Sequence, residues 1–431
     1  MKNSFTRSHS SSSSSSEPTS SITLTGEEQA HYDRVVGRLL YRTVQEYALY
    51  DGAINRELWS PVRSNSSISI YRSLKGTNDP RVTLMIGVGK LDGSLEDVMD
   101  GMYAETTSEY LSMKAFLKSK AIAGRVLQVS EKRTPDDPFT FAGIKWFATK
   151  APGGAVTYDR DLLYYERQGL TFDADGNETP GGPMSSDRDT LTYERQGMTL
   201  DADGNEVAYH LLQSIDRPEW PANAFKNVIR AHCSVCYLYK RTGNRVETFF
   251  LGEFYASGSF PQRISDYGIA RIWLSIVNSV KCAEAKKLAQ LKQRASSSRT
   301  SASSITLCDI NKCNVCGERR GTFNVQTLCA GCQQNVCKSC SEEKKLYKLD
   351  SAGRPLVDRF CKECLVGVAK QRGSRILWDG VDAGQPPAYF DHMFHFTDPT
   401  RSAAALLLAK ESLVDLSYLD ESMGRMHMDS W

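Results

Sequence analysis

The chain has 431 residues, with 53 lysine and arginine side chains against 51 aspartate and glutamate, a formal net charge of +2. Such a balance builds no global field toward nucleic acid or an anionic membrane, so no nucleic-acid partner is expected. The length leaves room for two or three domains. The N-terminus carries no apolar signal-peptide core, and no stretch approaches the ~18–20 apolar residues that span a bilayer. The longest candidate, 269–280, is interrupted by Arg271, Ser275 and Asn278. A cytoplasmic, soluble protein without a transmembrane segment is the expectation.

Residues 1–24 are serine-rich and are expected to be disordered. Thr25 and Glu28 form a capping-box pair that opens a helix to about residue 50, with Val36, Leu40, Val44 and Tyr47 along one face. Alternation and β-branched residues predict strands at 66–74 and 81–89. Ser94 caps a short helix carrying Leu95, Val98 and Met102, and a second helix is read at 107–116. Strands follow at 121–130, 139–150, 190–200, 207–215, 228–240 and 245–255. One long helix then closes the domain. Ile269, Ile272, Trp273, Ile276, Val280 and Ala283 repeat at helical spacing, and Leu274 and Val277 widen the apolar face until it needs cover on more than one side.

Two details inside this domain bear on chemistry. Residues 159–178 recur as 187–206 with 16 of 20 positions identical, too few copies for a solenoid. Their D-A-D-G-N segment lacks the glycine and glutamate placement of a calcium loop: Gly204 is fourth from Asp201 and position twelve is Leu212. It reads as a hairpin turn. The second copy runs into Val207-Ala208-Tyr209-His210-Leu211 and the first into Thr179-Pro180-Gly181-Gly182-Pro183, so the second copy is the expected hairpin and the first the insertion. Cys233 and Cys236 form a C-x-x-C on a strand, where residues three apart face opposite sides and cannot chelate together.

Residues 294–306 have the composition of a flexible linker, which would leave the next unit hanging from a separate domain at 25–293. That unit holds four C-x-x-C pairs: Cys313/Cys316, Cys329/Cys332, Cys337/Cys340 and Cys361/Cys364. Two such pairs complete a tetrahedral zinc site, so four pairs imply two Zn2+ ions. A disulfide framework would require an oxidising compartment, which nothing here supplies. In an interleaved cross-brace, Cys313, Cys316, Cys337 and Cys340 hold the first zinc and Cys329, Cys332, Cys361 and Cys364 the second. Sequential pairing is the alternative. Cys308 is a stand-in ligand at best. Beyond the array, 369–431 is a mixed tail in which Asp398-Pro399 opens a short helix bearing Leu406, Ala409, Leu413 and Leu416.

The spacing C-x2-C-x12-C-x2-C-x4-C-x2-C followed by C-x2-C resembles the FYVE-type zinc finger over 307–368. Phe323 and Val336 fit its apolar places, and Arg359-Phe360-Cys361 is similar to its R-V-C element. The basic, histidine-containing run that reads a 3-phosphate in that family is here Val325-Gln326-Thr327-Leu328-Cys329-Ala330, and its tryptophan and aspartate are replaced by Ser304 and Leu307. The scaffold is kept and the phosphate pocket is not. The resemblance therefore implies peripheral contact with phosphoinositide-bearing endosomal membrane or with a protein partner, and Arg359 as the single motif-matched headgroup contact. The element order of 25–293 resembles the START lipid-binding domain, which implies an α+β helix-grip fold, a curved antiparallel sheet around the C-terminal helix, with a cavity for an apolar lipid.

Nothing in the sequence completes an enzymatic constellation. Gly87-Val88-Gly89-Lys90 lacks the rest of a phosphate loop, since Leu84 and Leu91 stand at its required glycine and hydroxyl positions. His392 and His395 have no partner pair. The expected function is a non-enzymatic lipid-binding adaptor. The alternatives are a RING-like ubiquitin-ligase module, which shares interleaved geometry but usually places histidine among its ligands, and a FYVE-related finger that binds only small GTPases or other proteins.

Overall fold

The computed structural model describes residues 21–371 apart from 120, 136, 151–157, 172–206, 223, 226, 259–260, 302–310, 320 and 322–325. The tail helix, Phe323, Cys308, His392, His395 and the expected strand at 190–200 lie outside the described residues. Helix α1 (Gly26–Ala48) begins on its capping box: Thr25 Oγ1 accepts from the Glu28 amide at 3.1 Å, and the Glu28 carboxylate accepts from the Thr25 amide at 2.8 Å. Strands β1 (Trp59–Ser64), β2 (Ile68–Ser73) and β3 (Thr83–Asp92) follow, then α2 (Leu95–Met102), capped by Ser94, and α3 (Thr107–Phe116). Next come β4 (Ala121–Glu131), β5 (Phe141–Thr149), β6 (Asp159–Thr171), β7 (Val207–Ser214), β8 (Val228–Arg230), β9 (His232–Thr242) and β10 (Arg245–Tyr255). The sheet runs β1-β2-β3-β10-β9-β7-β6-β5-β4 with every neighbour antiparallel, and β8 adds to β6 in parallel. β1, which contains Pro61, is not among the strands read from the sequence. At the sheet edge the proline's missing N–H costs nothing.

Both faces of the sheet are covered, so its central strands lose the alternation of a half-exposed strand. On one face α1 packs Val36, Leu39, Leu40 and Val44 against Leu163, Leu211, Leu238 and Leu251. On the other, α2 and α3 join Ile269, Trp273, Leu274 and Ile276 in a cluster with Phe147, Tyr164, Val235 and Phe250. Cys233 belongs to this second face and Cys236 to the first, both buried. The expected single closing helix is two: α4 (Gln262–Trp273) and α5 (Ser279–Ser301), joined by a 3-10 turn at Leu274–Asn278. The backbones of α2 and α5 meet closely here, since a Cβ on Gly101 would lie 2.0 Å from the Ser279 carbonyl oxygen.

Two expectations are corrected. The first copy of the duplicated segment is a working strand, β6, paired with β5 on one side and β7 on the other. Two of the four substitutions explain its fitness: the core-facing Leu162 and Tyr164 of the first copy stand where the second has Thr190 and Thr192. The serine-rich stretch from 294 is also helical as far as Ser301. Ser296 Oγ donates to the Lys292 carbonyl at 3.0 Å and Ser297 Oγ to the Gln293 carbonyl at 3.1 Å, satisfying inside a helix the hydroxyls that argue for a linker.

The cysteine-rich unit consists of β11 (Gln326–Leu328) with β12 (Asn335–Cys337), β13 (Ser341–Leu349) with β14 (Pro355–Cys361), and α6 (Lys362–Ala369). It is docked on the large domain rather than suspended from it. Leu288 of α5 enters its core beside Val336, Leu346, Phe360 and Val368. In the other direction Tyr347 of β13 leaves the finger, stands 6.3 Å from the Phe116 ring and donates its hydroxyl to the Glu109 carbonyl at 2.6 Å. Lys344–Glu284 at 3.1 Å and Lys292–Asp358 at 2.5 Å flank this seam.

Candidate functional site: paired sulfur centres and a buried polar interior

Each sulfur centre is built from one loop knuckle and one pair at a strand end. In the first knuckle the Cys313 amide donates to the Glu318 carbonyl at 2.8 Å and the Gly317 amide to the Cys313 carbonyl at 2.8 Å. This closure requires a left-handed residue, which Gly317 provides at φ 75° without a steric penalty. The second knuckle repeats the pattern, with Cys329 bonded to the Gln334 carbonyl and Gln333 to the Cys329 carbonyl, both at 2.9 Å. Its left-handed residue is Gln333 at φ 60°, whose Nε2 compensates by donating to the Ala330 carbonyl at 3.1 Å. Cys337 ends β12, Cys340 closes the following 3-10 turn, and Cys361 caps α6, its sulfur accepting from the Cys364 amide at 3.4 Å.

These elements gather Cys313, Cys316, Cys337 and Cys340 into one group and Cys329, Cys332, Cys361 and Cys364 into another, the sulfurs of each within 4.8 Å of one another. The first and third pairs thus meet, as do the second and fourth. Cys316–Cys337 and Cys329–Cys364 contacts of 3.8 Å, and Cys332–Cys361 of 3.9 Å, fit the ~3.8 Å edge of a tetrahedron with ~2.3 Å metal–sulfur bonds. Either group is compatible with one zinc ion. Amides favour the thiolate form: Cys337 donates to the Cys313 sulfur at 3.4 Å, and Cys361 and Gly331 to the Cys329 sulfur at 3.2 and 3.4 Å. With the Cys332 thiol also donating to it, Cys329 is drawn down to about 4.

Arg359 lies in β14, but its guanidinium is engaged: Nη2 bonds Glu343 at 2.6 Å and Nη1 the Ser341 hydroxyl at 3.3 Å. Lys344 is turned to Glu284 and Glu342. These two cations of the finger are therefore engaged within the chain.

A second polar site, absent from the sequence reading, lies between the sheet and helices α2 and α3. Lys145 of β5 and Glu166 of β6 form a 2.8 Å ion pair with side chains 0% and 2% exposed. Gln168 Nε2 donates to the same carboxylate oxygen at 2.7 Å, and His210 Nε2 of β7 stands 3.4 Å from it. Burial opposes ionisation of Glu166, yet the Lys145 ammonium and the His210 imidazole hold its carboxyl below the usual carboxylate range. From α3, Tyr110 meets the Tyr164 hydroxyl at 2.6 Å, and Lys114 lies one turn on with its ammonium 4.0 Å from the Phe147 ring centroid. Desolvation lowers Lys114 to about 8. The available signal was Lys145 alone in the apolar run Phe141-Ala142-Gly143-Ile144-Lys145-Trp146-Phe147. A charge in a strand buried on both faces needs an interior partner.

No protein-family profile matches the chain, and no curated protein matches it. Among solved structures, human StAR-related lipid transfer protein 5 is similar at 13% identity and a TM-score of 0.37, over 58% of this chain and 98% of that one. Human STARD10 is similar at 12% identity and a TM-score of 0.35, over 63% of this chain and 84% of that one. Both likenesses are too distant to carry an assignment. Among the described residues no helix is long and apolar enough to cross a membrane.

Proposed function

We propose that the chain is a non-enzymatic, zinc-binding lipid carrier or adaptor: a START-like domain holding an amphiphile between sheet and helices, and a FYVE-like cross-brace finger with two structural zinc ions. The observation that carries the lipid reading is the buried Lys145–Glu166–His210 cluster, polar groups inside apolar walls made by both sheet and helices. Lipid sites have this composition, an apolar enclosure with few polar groups that fix the head. Four thiolates on each zinc leave no open position for a reactive water, which supports a structural rather than catalytic metal. Native mass spectrometry of the gently purified full chain tests the reading. The expected species carries two zinc ions and a co-purified lipid; a chain that binds no lipid from mixed vesicles overturns the lipid half.

For the finger, contact with protein, as in FYVE-related modules that bind small GTPases, is favoured over specific phosphoinositide recognition. Its motif-matched Arg359 is bound by Glu343, and Lys344 by Glu284. Attachment to acidic or endosomal membrane would then be weak and salt-sensitive, without the cluster of charge-assisted bonds that selects one phosphate position.

A further inference from the structure

We propose that the interior site takes an amphiphile with a monoanionic head, carboxylate or phosphate, read by the Lys114 ammonium of α3. This inference rests on the lipid reading and names the ligand class of that site. The charge count of the buried cluster supports it. Lys145 and Glu166 cancel one another at 2.8 Å, and Gln168 adds a neutral donor. Lys114, only 9% exposed, has no ion-pair or hydrogen-bond partner among the described residues. What faces its ammonium is the Phe147 ring at 4.0 Å and the Tyr110 ring at 5.0 Å.

An aromatic face attracts a cation but does not neutralise it, and an unpaired buried charge is among the costliest groups in a fold. Burial lowers Lys114 to about 8, so the side chain is still mostly protonated at neutral pH and keeps its demand for an anion. His210, 2% exposed and stacked on Tyr237 at 5.8 Å, turns its Nε2 toward Glu166 at 3.4 Å and so belongs to that carboxylate's surroundings. Lys114 and Lys145 both interact with the one Glu166 carboxylate, which leaves one positive charge in excess in the cluster. A bound monoanion would balance it. The neighbouring Cys233 thiol is pushed by burial up to about 11, so it adds no negative charge.

The experiment presents the delipidated, zinc-loaded full chain with oleate, lysophosphatidylglycerol or uncharged monooleoylglycerol, and reads occupancy by native mass spectrometry. Oleate and lysophosphatidylglycerol separate carboxylate from phosphate, and either one is expected to bind about tenfold more tightly than monooleoylglycerol, the value of one charge-assisted contact. Lys114→Met should erase that preference, and Lys114→Arg should retain it. Equal binding of all three by the natural chain overturns the inference and leaves the lipid reading standing, as does a preference that survives Lys114→Met. Binding of none overturns both.

Discussion

The large domain and the finger reach stability by opposite means. The sheet domain buries two apolar clusters, one on each face, and can enclose charged groups such as Lys145 and Glu166 on the face covered by α2 and α3. The finger's core is one small cluster in which Cys313, Cys329, Cys337 and Cys361 stand among Val336, Leu346, Phe360 and Val368, completed by Leu288 from α5. So small a core cannot offset chain entropy alone, and metal is the usual supplement. The comparison teaches that α5 is common property. Its Cys282 packs into the large domain and its Leu288 into the finger.

The sharpest break in this comparison is metal removal. Structural zinc contributes on the order of 10 kcal/mol to such modules. A strong chelator is expected to abolish hydrogen-exchange protection in β11 to α6 while β5, β9 and β10 stay protected. Simultaneous loss in both regions would make them a single cooperative unit.

Next in size is the buried pair. Lys145→Met leaves Glu166 uncompensated and should cost about 3–5 kcal/mol in urea unfolding, with most of it recovered in the Lys145→Met/Glu166→Gln double variant. The same pair predicts an acid limit. Although burial opposes it, the Lys145 ammonium lowers Glu166 from its ordinary 4.5 to about 2. Its contribution is therefore complete above pH 4.5 and lost as pH falls toward 2. A flat stability profile across that window would contradict the assignment.

The smallest effect tests the shared helix. Leu288, 1% exposed, contacts the finger's core from outside it. Leu288→Ala should cost about 2–4 kcal/mol, read as faster exchange in β13 and β14. Metal content should not change, nor, under the proposed function, should uptake of lipid from mixed vesicles. Loss of lipid uptake would mean that the finger's seat governs the enclosure.

Local chemistry was legible wherever a few adjacent residues decide the outcome. The α1 capping box and the Ser94 cap are single-turn motifs. The four C-x-x-C pairs are visible because one knuckle needs only a handful of residues. The short gap between Cys332 and Cys337 favours the interleaved pairing over the sequential one, and the approach of Cys313 to Cys337 and of Cys329 to Cys361 follows from how β12 and β14 return. The serine-rich stretch after 294 misled, because composition does not reveal hydroxyls bonding back to carbonyls one turn earlier.

The sequence by itself determined the helices α1 to α3, most of the sheet strands and the cysteine pairs, because caps, periodicity and chelate knuckles act over a few residues. Tertiary structure decided what is long-range. It chose Leu162 and Tyr164 over Thr190 and Thr192 for the core-facing slot of β6, because that slot rewards apolar volume. It carried Tyr347 across to the Glu109 carbonyl. It also brought Lys114, Lys145, Glu166 and His210, from one helix and three strands, into one buried cluster. A buried charge finds its partner through packing across the sheet, at separations no local pattern records.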